Sequence, residues 1–272
     1  MVKGRGRLPN PALPGTTRAL ALPMTAPLAT SHSGVLRARH RLGATVTDLA
    51  RDTDLTLLLR PGTRAFEVDE ERIGLLHVSD VAPSDGHGWT LVVLFHGAGA
   101  DAADIIPLFA DVPLREPTLV LAPDSVASSW DLVHGQVGAD LRRLDAALEL
   151  LLQRVHVAHE RTAVAGFSDG ASYALSVGLA NGELLPNVIA FSPGFVSPPR
   201  IFGRPRFFIS HGTADPVLSI DRCSRVIVPR LRGAGYDVDY HEFRGGHTVP
   251  EPMVEAALDW LSAAPAELPV SS

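Results

Sequence analysis

The sequence predicts an α/β fold with a mainly parallel central sheet flanked by helices. Two observations predict it. Short apolar runs rich in Val, Leu and Phe alternate with longer runs of helical period from residue 89 to residue 261, and such alternation builds parallel sheets whose strands are buried on both faces. Polar residues capable of chemistry recur just past the apolar runs, at the strand ends where open sheets of this kind gather their functional groups. With 272 residues, 46% of them hydrophobic, the chain can bury a large core and fits one such domain over residues 48–272.

The elements follow in order. Residues 55–59, 64–68 and 73–78 are short apolar or alternating runs, expected to open the sheet as antiparallel edge strands. Residues 91–95 (Leu-Val-Val-Leu-Phe) and 119–121 (Leu-Val-Leu) read as buried strands, the second leaving through Ala122-Pro123-Asp124. Over residues 138–157, Leu141, Leu144, Leu148, Leu151 or Leu152, and Val155 form one apolar stripe, which predicts an amphipathic helix. A strand at 162–165 leads to a helix at 171–180. Strands at 188–191 and 206–210, a helix at 220–231, a strand at 236–243 and a helix at 250–261 complete the pattern. Only residues 192–205 join the strands at 188–191 and 206–210, and four of these 14 are proline. That connection cannot build a helical lid, so the fold is expected to lack a large cap domain and to leave its site covered by loops alone.

The densest chemical motif is Gly166-Phe167-Ser168-Asp169-Gly170, between the strand at 162–165 and the helix at 171–180. A serine on a sharp strand-to-helix turn presents its hydroxyl above the sheet, and the turn is tight enough to demand glycine two residues to either side. Ser168 is therefore the candidate nucleophile. A serine hydroxyl needs a base to take its proton. His247, in Gly245-Gly246-His247 after the strand at 236–243, is the candidate base. Asp215, in His211-Gly212-Thr213-Ala214-Asp215-Pro216-Val217 after the strand at 206–210, is the candidate orienting acid. The strand at 91–95 runs into His96-Gly97-Ala98-Gly99; the backbone N–H groups of Ala98 and Asp169 are the candidate oxyanion hole. Trp130, Phe195, Phe202 and Val249, with Phe109, Val196 and Ile201, are apolar residues on or near loops at the strand ends and are candidates for the substrate pocket.

These four motifs, over roughly residues 65–263, resemble the phospholipase/carboxylesterase family of α/β-hydrolases, which includes bacterial carboxylesterases and acyl-protein thioesterases. The resemblance implies an α/β-hydrolase fold, a serine esterase activity through an acyl-enzyme, and no cofactor. Many members carry Gln directly after the nucleophile; here Asp169 stands there, and its carboxylate is expected to point away from the oxyanion. Carboxylesters of short to medium acyl chain are the expected substrates. An acyl-thioesterase or lysophospholipase using the same three residues is the alternative, and a non-catalytic binding module of the same fold is the second.

Composition narrows the field further. The formal net charge is −6, but the first 47 residues hold no acid and seven basic residues, so the remainder is strongly acidic. An acidic body argues against nucleic acid as a partner. The basic head has five prolines by residue 27 and no lasting periodicity, so residues 1–47 are expected to form a disordered or loosely packed extension, at least to about residue 35. A cytoplasmic protein is the expectation, with export or organellar transit as the alternative roles of that head. The single cysteine, Cys223, rules out an internal disulfide and reads as a packing residue. His96 and His211 close strands and read as structural, and no histidine spacing suggests a metal. No run of about 20 apolar residues suggests a membrane span.

Overall fold

The computed structural model describes residues 34–41, 53–84, 87–134 and 138–263. Eight strands form one sheet: β1 (Gly62–Val68), β2 (Glu71–Val78), β3 (Trp89–Phe95), β4 (Thr118–Pro123), β5 (Val157–Phe167), β6 (Asn187–Phe191), β7 (Arg206–Gly212) and β8 (Val238–Phe243). Their spatial order is β1-β2-β4-β3-β5-β6-β7-β8. Pairings that involve β1 or β2 are antiparallel, and all the others are parallel. Every residue of β3, β4 and β6 is buried, as continuous apolar runs in the middle of a parallel sheet require.

The helices are α1 (Thr53–Leu58), α2 (Ala102–Ile105), α3 (Pro107–Ala110), α4 (Ala139–Arg154), α5 (Asp169–Ala180), α6 (Ser224–Gly233) and α7 (Glu251–Ser262). Buried side chains of α4, α5 and α6 join one hydrophobic cluster, and those of α2, α3 and α7 join another. The sheet is thus covered on both faces. Each fully buried Leu, Val or Phe at these contacts contributes about 1.5–3 kcal/mol by leaving water.

Three expectations change. Residues 53–58 are helix, not an edge strand. A short apolar run such as Leu55, Leu57 and Leu58 fits either period. Helices α2 and α3 lie in a connection that showed no helical period; Asp101 starts α2 by accepting from the amides of Ala103 and Asp104, a capping box completed by the Asp104 side chain. Residues 34–41 fall inside the expected extension, yet they pack on the body. Leu36 and Ala38 are buried. The Leu36 amide donates to Asn181 Oδ1 at 2.7 Å, and the Ala38 amide to Asp145 Oδ1 at 3.0 Å. Arg37 pairs with the buried Asp145 carboxylate. Residues 1–33 and 42–52, which carry the rest of the expected extension, lie outside the described residues.

Residues 192–205 contain no helix or strand. Ser172 and Ser176 of α5 hold this loop, their hydroxyls accepting from the amides of Gly194 and Phe195, and of Ser197. No helix among the described residues is long and apolar enough to cross a membrane.

Candidate active site

Ser168 sits between β5 and α5 with φ 59° and ψ −120°. A non-glycine residue there carries about 1–3 kcal/mol of strain, held by surrounding structure. The glycines around it explain how. A Cβ at Gly166 would lie 2.3 Å from the Gly170 carbonyl, and a Cβ at Gly170 would lie 2.2 Å from the carbonyl oxygen of Phe95. The turn is pressed onto the end of β3, and only glycine fits at either place. The Ser168 amide donates to the Phe191 carbonyl at 3.0 Å, which pins the turn to β6.

The three candidate residues, distant in sequence, meet at the carboxyl end of the sheet. His247 Nε2 is 2.9 Å from Ser168 Oγ, and His247 Nδ1 is 2.6 Å from Asp215 Oδ2. The side chain of Asp215 is fully buried and that of His247 is 14% exposed. Asp215 Oδ1 accepts from the amides of Val217 and Leu218, each at 2.8 Å. Burial pushes the Asp215 carboxyl up. The His247 N–H, then the Leu218 and Val217 amides, outweigh that cost and leave it below the usual carboxylate range. Phe167 packs against the His247 ring with centroids 4.7 Å apart.

The loop after β3 lies beside Ser168: a Cβ on Gly97 would be 3.4 Å from Ser168 Cβ. His96 fixes this loop. It is fully buried, its Nδ1 is 2.8 Å from the Gly97 carbonyl, and its Nε2 is 3.1 Å from the Ser125 amide. Those partners require the proton on Nδ1 and leave Nε2 as acceptor. The Gly99 amide donates to the Ser128 carbonyl at 2.7 Å. The Asp169 carboxylate accepts from the Ser129 hydroxyl at 2.8 Å, which turns it toward the loop after β4. Ser129 was not singled out from sequence, because its partner is 40 positions away.

Three pocket candidates are corrected. Trp130 is 1% exposed and belongs to the core. Its ring stacks on Tyr173 at 4.9 Å and meets Phe95 edge-on, and its Nε1 donates to the His96 carbonyl at 2.9 Å. Trp130 holds the loop after β3 from beneath. Phe202 is tied to the far end of α5, its amide donating to Leu179 and its carbonyl accepting from Gly182. Ser168 is at the opposite end of that 12-residue helix, about 17 Å away at 1.5 Å per residue. Phe109 is likewise fully buried. Phe195, Val196 and Ile201 line a cleft of about 380 Å³ between the 192–205 loop and α6. Val249, two residues past His247, is half-buried against the cluster under α7. Cys223 is buried with a free thiol. Among the described residues no group of three or more His, Cys, Asp or Glu side chains is placed to hold a metal.

A family model described as phospholipase/carboxylesterase matches residues 124–264, more than half of the chain. The chain belongs to the phospholipase/carboxylesterase family. The match spans Ser168, Asp215 and His247, while the His96–Gly99 loop lies upstream of it. Among solved structures, esterase PE8 is 30% identical; the similarity covers 65% of this chain and 93% of that one, with a TM-score of 0.53. A carboxylesterase from Bacillus cereus is 22% identical over 65% of this chain and 91% of its own, with a TM-score of 0.51. A thermostable esterase is also 22% identical, over 73% and 61%, with a TM-score of 0.54; these last two show the shared fold. No curated protein matches the sequence. Family and fold together make this protein an α/β-hydrolase enzyme of the carboxylic-ester class.

Proposed function

We propose that the protein is a serine carboxylesterase for short- to medium-chain esters, with Ser168 as nucleophile, His247 as general base and Asp215 as orienting acid. The observation that carries this reading is the continuous path from a strained, partly exposed serine through an imidazole at 2.9 Å to a buried carboxylate at 2.6 Å. Ser168 Oγ attacks the ester carbonyl carbon as His247 Nε2 takes its proton. The Asp215 carboxylate keeps the proton on Nδ1 and stabilises the imidazolium that forms. The carbonyl oxygen becomes an oxyanion held by the amides of Ala98 and Asp169, each donor supplying about 3 kcal/mol. Collapse breaks the ester C–O bond, His247 protonates the departing alcohol, and an acyl-Ser168 ester remains. A water molecule, deprotonated by His247, then releases the acid and restores Ser168.

The preference for soluble esters rests on residues 192–205, which are too short and irregular to act as a lid. With no lid at that connection, rate follows monomeric substrate and saturates in the ordinary way. The test is a panel of p-nitrophenyl esters of rising acyl length, run beside emulsified triglyceride. Preference should rise over the first few carbons, by at most about 0.8 kcal/mol per methylene buried, and then stop. A rate that jumps when substrate passes its solubility limit, or peaks near sixteen carbons, contradicts it.

A further inference from the structure

Asp215 holds two histidines. Besides His247, its Oδ2 faces His211 Nε2 at 3.3 Å, and both of those side chains are fully buried. His211 is the penultimate residue of β7 and makes two closer contacts: Nε2 is 2.8 Å from the Leu218 carbonyl, and Nδ1 is 2.7 Å from the Ser224 hydroxyl in the first turn of α6. Ser224 itself is fully buried.

The chemistry of these partners leaves one arrangement. Burial pushes the His211 imidazole below its ordinary range, against the Leu218 carbonyl and the Asp215 charge, which act to raise it. A neutral imidazole has one N–H. Nε2 faces only acceptors, a carbonyl and a carboxylate, so the proton must be there. Nδ1 is then an acceptor, and the Ser224 hydroxyl is the group that can donate to it. We propose that Ser224 and His211 are positioning residues for Asp215. The Ser224 hydroxyl fixes the His211 tautomer, and the His211 N–H then holds both the Asp215 carboxylate and the Leu218 end of its loop. The Leu218 amide in turn binds Asp215 Oδ1 at 2.8 Å. His211 thereby grips the acid from both sides, once directly and once through the loop that carries it. This inference rests on the reading of Asp215 as the orienting acid.

The other titratable groups around this pair do not replace it. Glu242 on β8 lies opposite His211 in the strand register and is paired with Arg225 at 2.6 Å. Cys223 is a thiol held up by burial. His247 reaches the same carboxylate oxygen from the loop after β8.

An N–H on Asp215 stabilises its anion and so weakens its grip on the protonated His247. Removing that N–H makes the carboxylate a stronger partner for the imidazolium, so the acid limb of the kcat/KM profile moves to higher pH. It also loosens the acid, so kcat falls with KM unchanged. The experiment measures kcat, KM and the pH profile on p-nitrophenyl acetate for Ser224→Ala, His211→Leu and His211→Gln, with Asp215→Asn alongside. Ser224→Ala and His211→Leu should lower kcat about tenfold, the loss of one hydrogen bond to a charged group, and shift the acid limb upward, His211→Leu more than Ser224→Ala. His211→Gln places an amide N–H near the lost Nε2 and should restore the acid limb.

Unchanged kcat and acid limb in Ser224→Ala and His211→Leu overturn the inference. So does a fall in kcat with an unmoved acid limb and no rescue by Gln, which would make the pair part of the scaffold alone. If His211→Leu fails to fold, the same two readouts on Ser224→Ala and His211→Gln decide it. Wild-type kcat in Asp215→Asn would instead break the assignment of the acid.

Discussion

The end of β7 and the loop after β8 each bring a histidine to the same oxygen of Asp215, and the two histidines have different work. His247 approaches at 2.6 Å, keeps 14% of its side chain exposed and reaches Ser168 with its other nitrogen. His211 approaches at 3.3 Å, is fully buried and spends its other nitrogen on a buried serine. Residue type does not separate them. What separates them is what stands at the second nitrogen and whether water and substrate can reach it. An imidazole between a carboxylate and an accessible hydroxyl can carry a proton. One between a carbonyl and a buried hydroxyl can only hold position.

The largest test of that contrast is on the accessible arm. His247→Ala should lower ester turnover by at least about 10⁴-fold, with a melting temperature close to wild type, because a side chain at the rim of the site is lost without opening the core. Wild-type turnover in His247→Ala would dissolve the distinction.

Asp215→Asn comes next. It keeps the shape but inverts the hydrogen bond to His247, and turnover should fall by about 10⁴-fold in steady-state assays. Asp221, exposed and paired with Arg225, is the control: Asp221→Asn should keep wild-type turnover. A comparable loss there would mean the carboxylate was chosen wrongly.

The buried arm, whose effect on rate is smaller, should also appear in stability. The folded chain resists protonating His211, whereas the unfolded chain accepts that proton at about pH 6.5. Below about 6.5 the unfolded state therefore binds more protons, and stability falls as pH falls toward the lowered folded value; above about 6.5 the contribution is fully present. Urea midpoints between pH 5 and 8 should show this slope, and His211→Gln should flatten it. A slope equal to wild type in His211→Gln would show that His211 does not contribute.

The smallest effect concerns the far end of α5, which holds structure and no chemistry. Removing residues 1–33 should leave turnover and melting temperature unchanged. Leu36→Ala should cost about 2–4 kcal/mol and lower the melting temperature by several degrees, with the kcat/KM pH profile unmoved. Lost turnover on removing residues 1–33 would show that the head supports the site.

These contrasts also mark how much the sequence can tell. The meeting of Ser168, Asp215 and His247 was legible because each follows a strand run, and Ser168 sits between glycines that a tight turn demands. The sheet was legible because its central strands are uninterrupted apolar runs. Trp130 was misplaced because sequence shows which loop carries a side chain, and not whether it turns inward; here Tyr173 and the His96 carbonyl draw it into the core. Phe202 was misplaced because the sequence does not show its loop returning to the far end of α5, where its backbone pairs with Leu179 and Gly182. The packing of residues 34–41 depends on Asn181 and Asp145, more than 100 positions away, and no local pattern announces such partners. Ser129 and Ser224 were silent for that reason too: each is one buried or half-buried hydroxyl whose only importance is what it meets after folding.

The most direct test of the central claim is labelling by a fluorophosphonate, read by intact mass and by peptide mapping. The account predicts one adduct per chain, carried by Ser168 on the peptide containing Gly166-Phe167-Ser168-Asp169-Gly170, absent in Ser168→Ala and slowed in Asp215→Asn. An adduct on another serine, or an unlabelled protein that still hydrolyses p-nitrophenyl acetate, would contradict it.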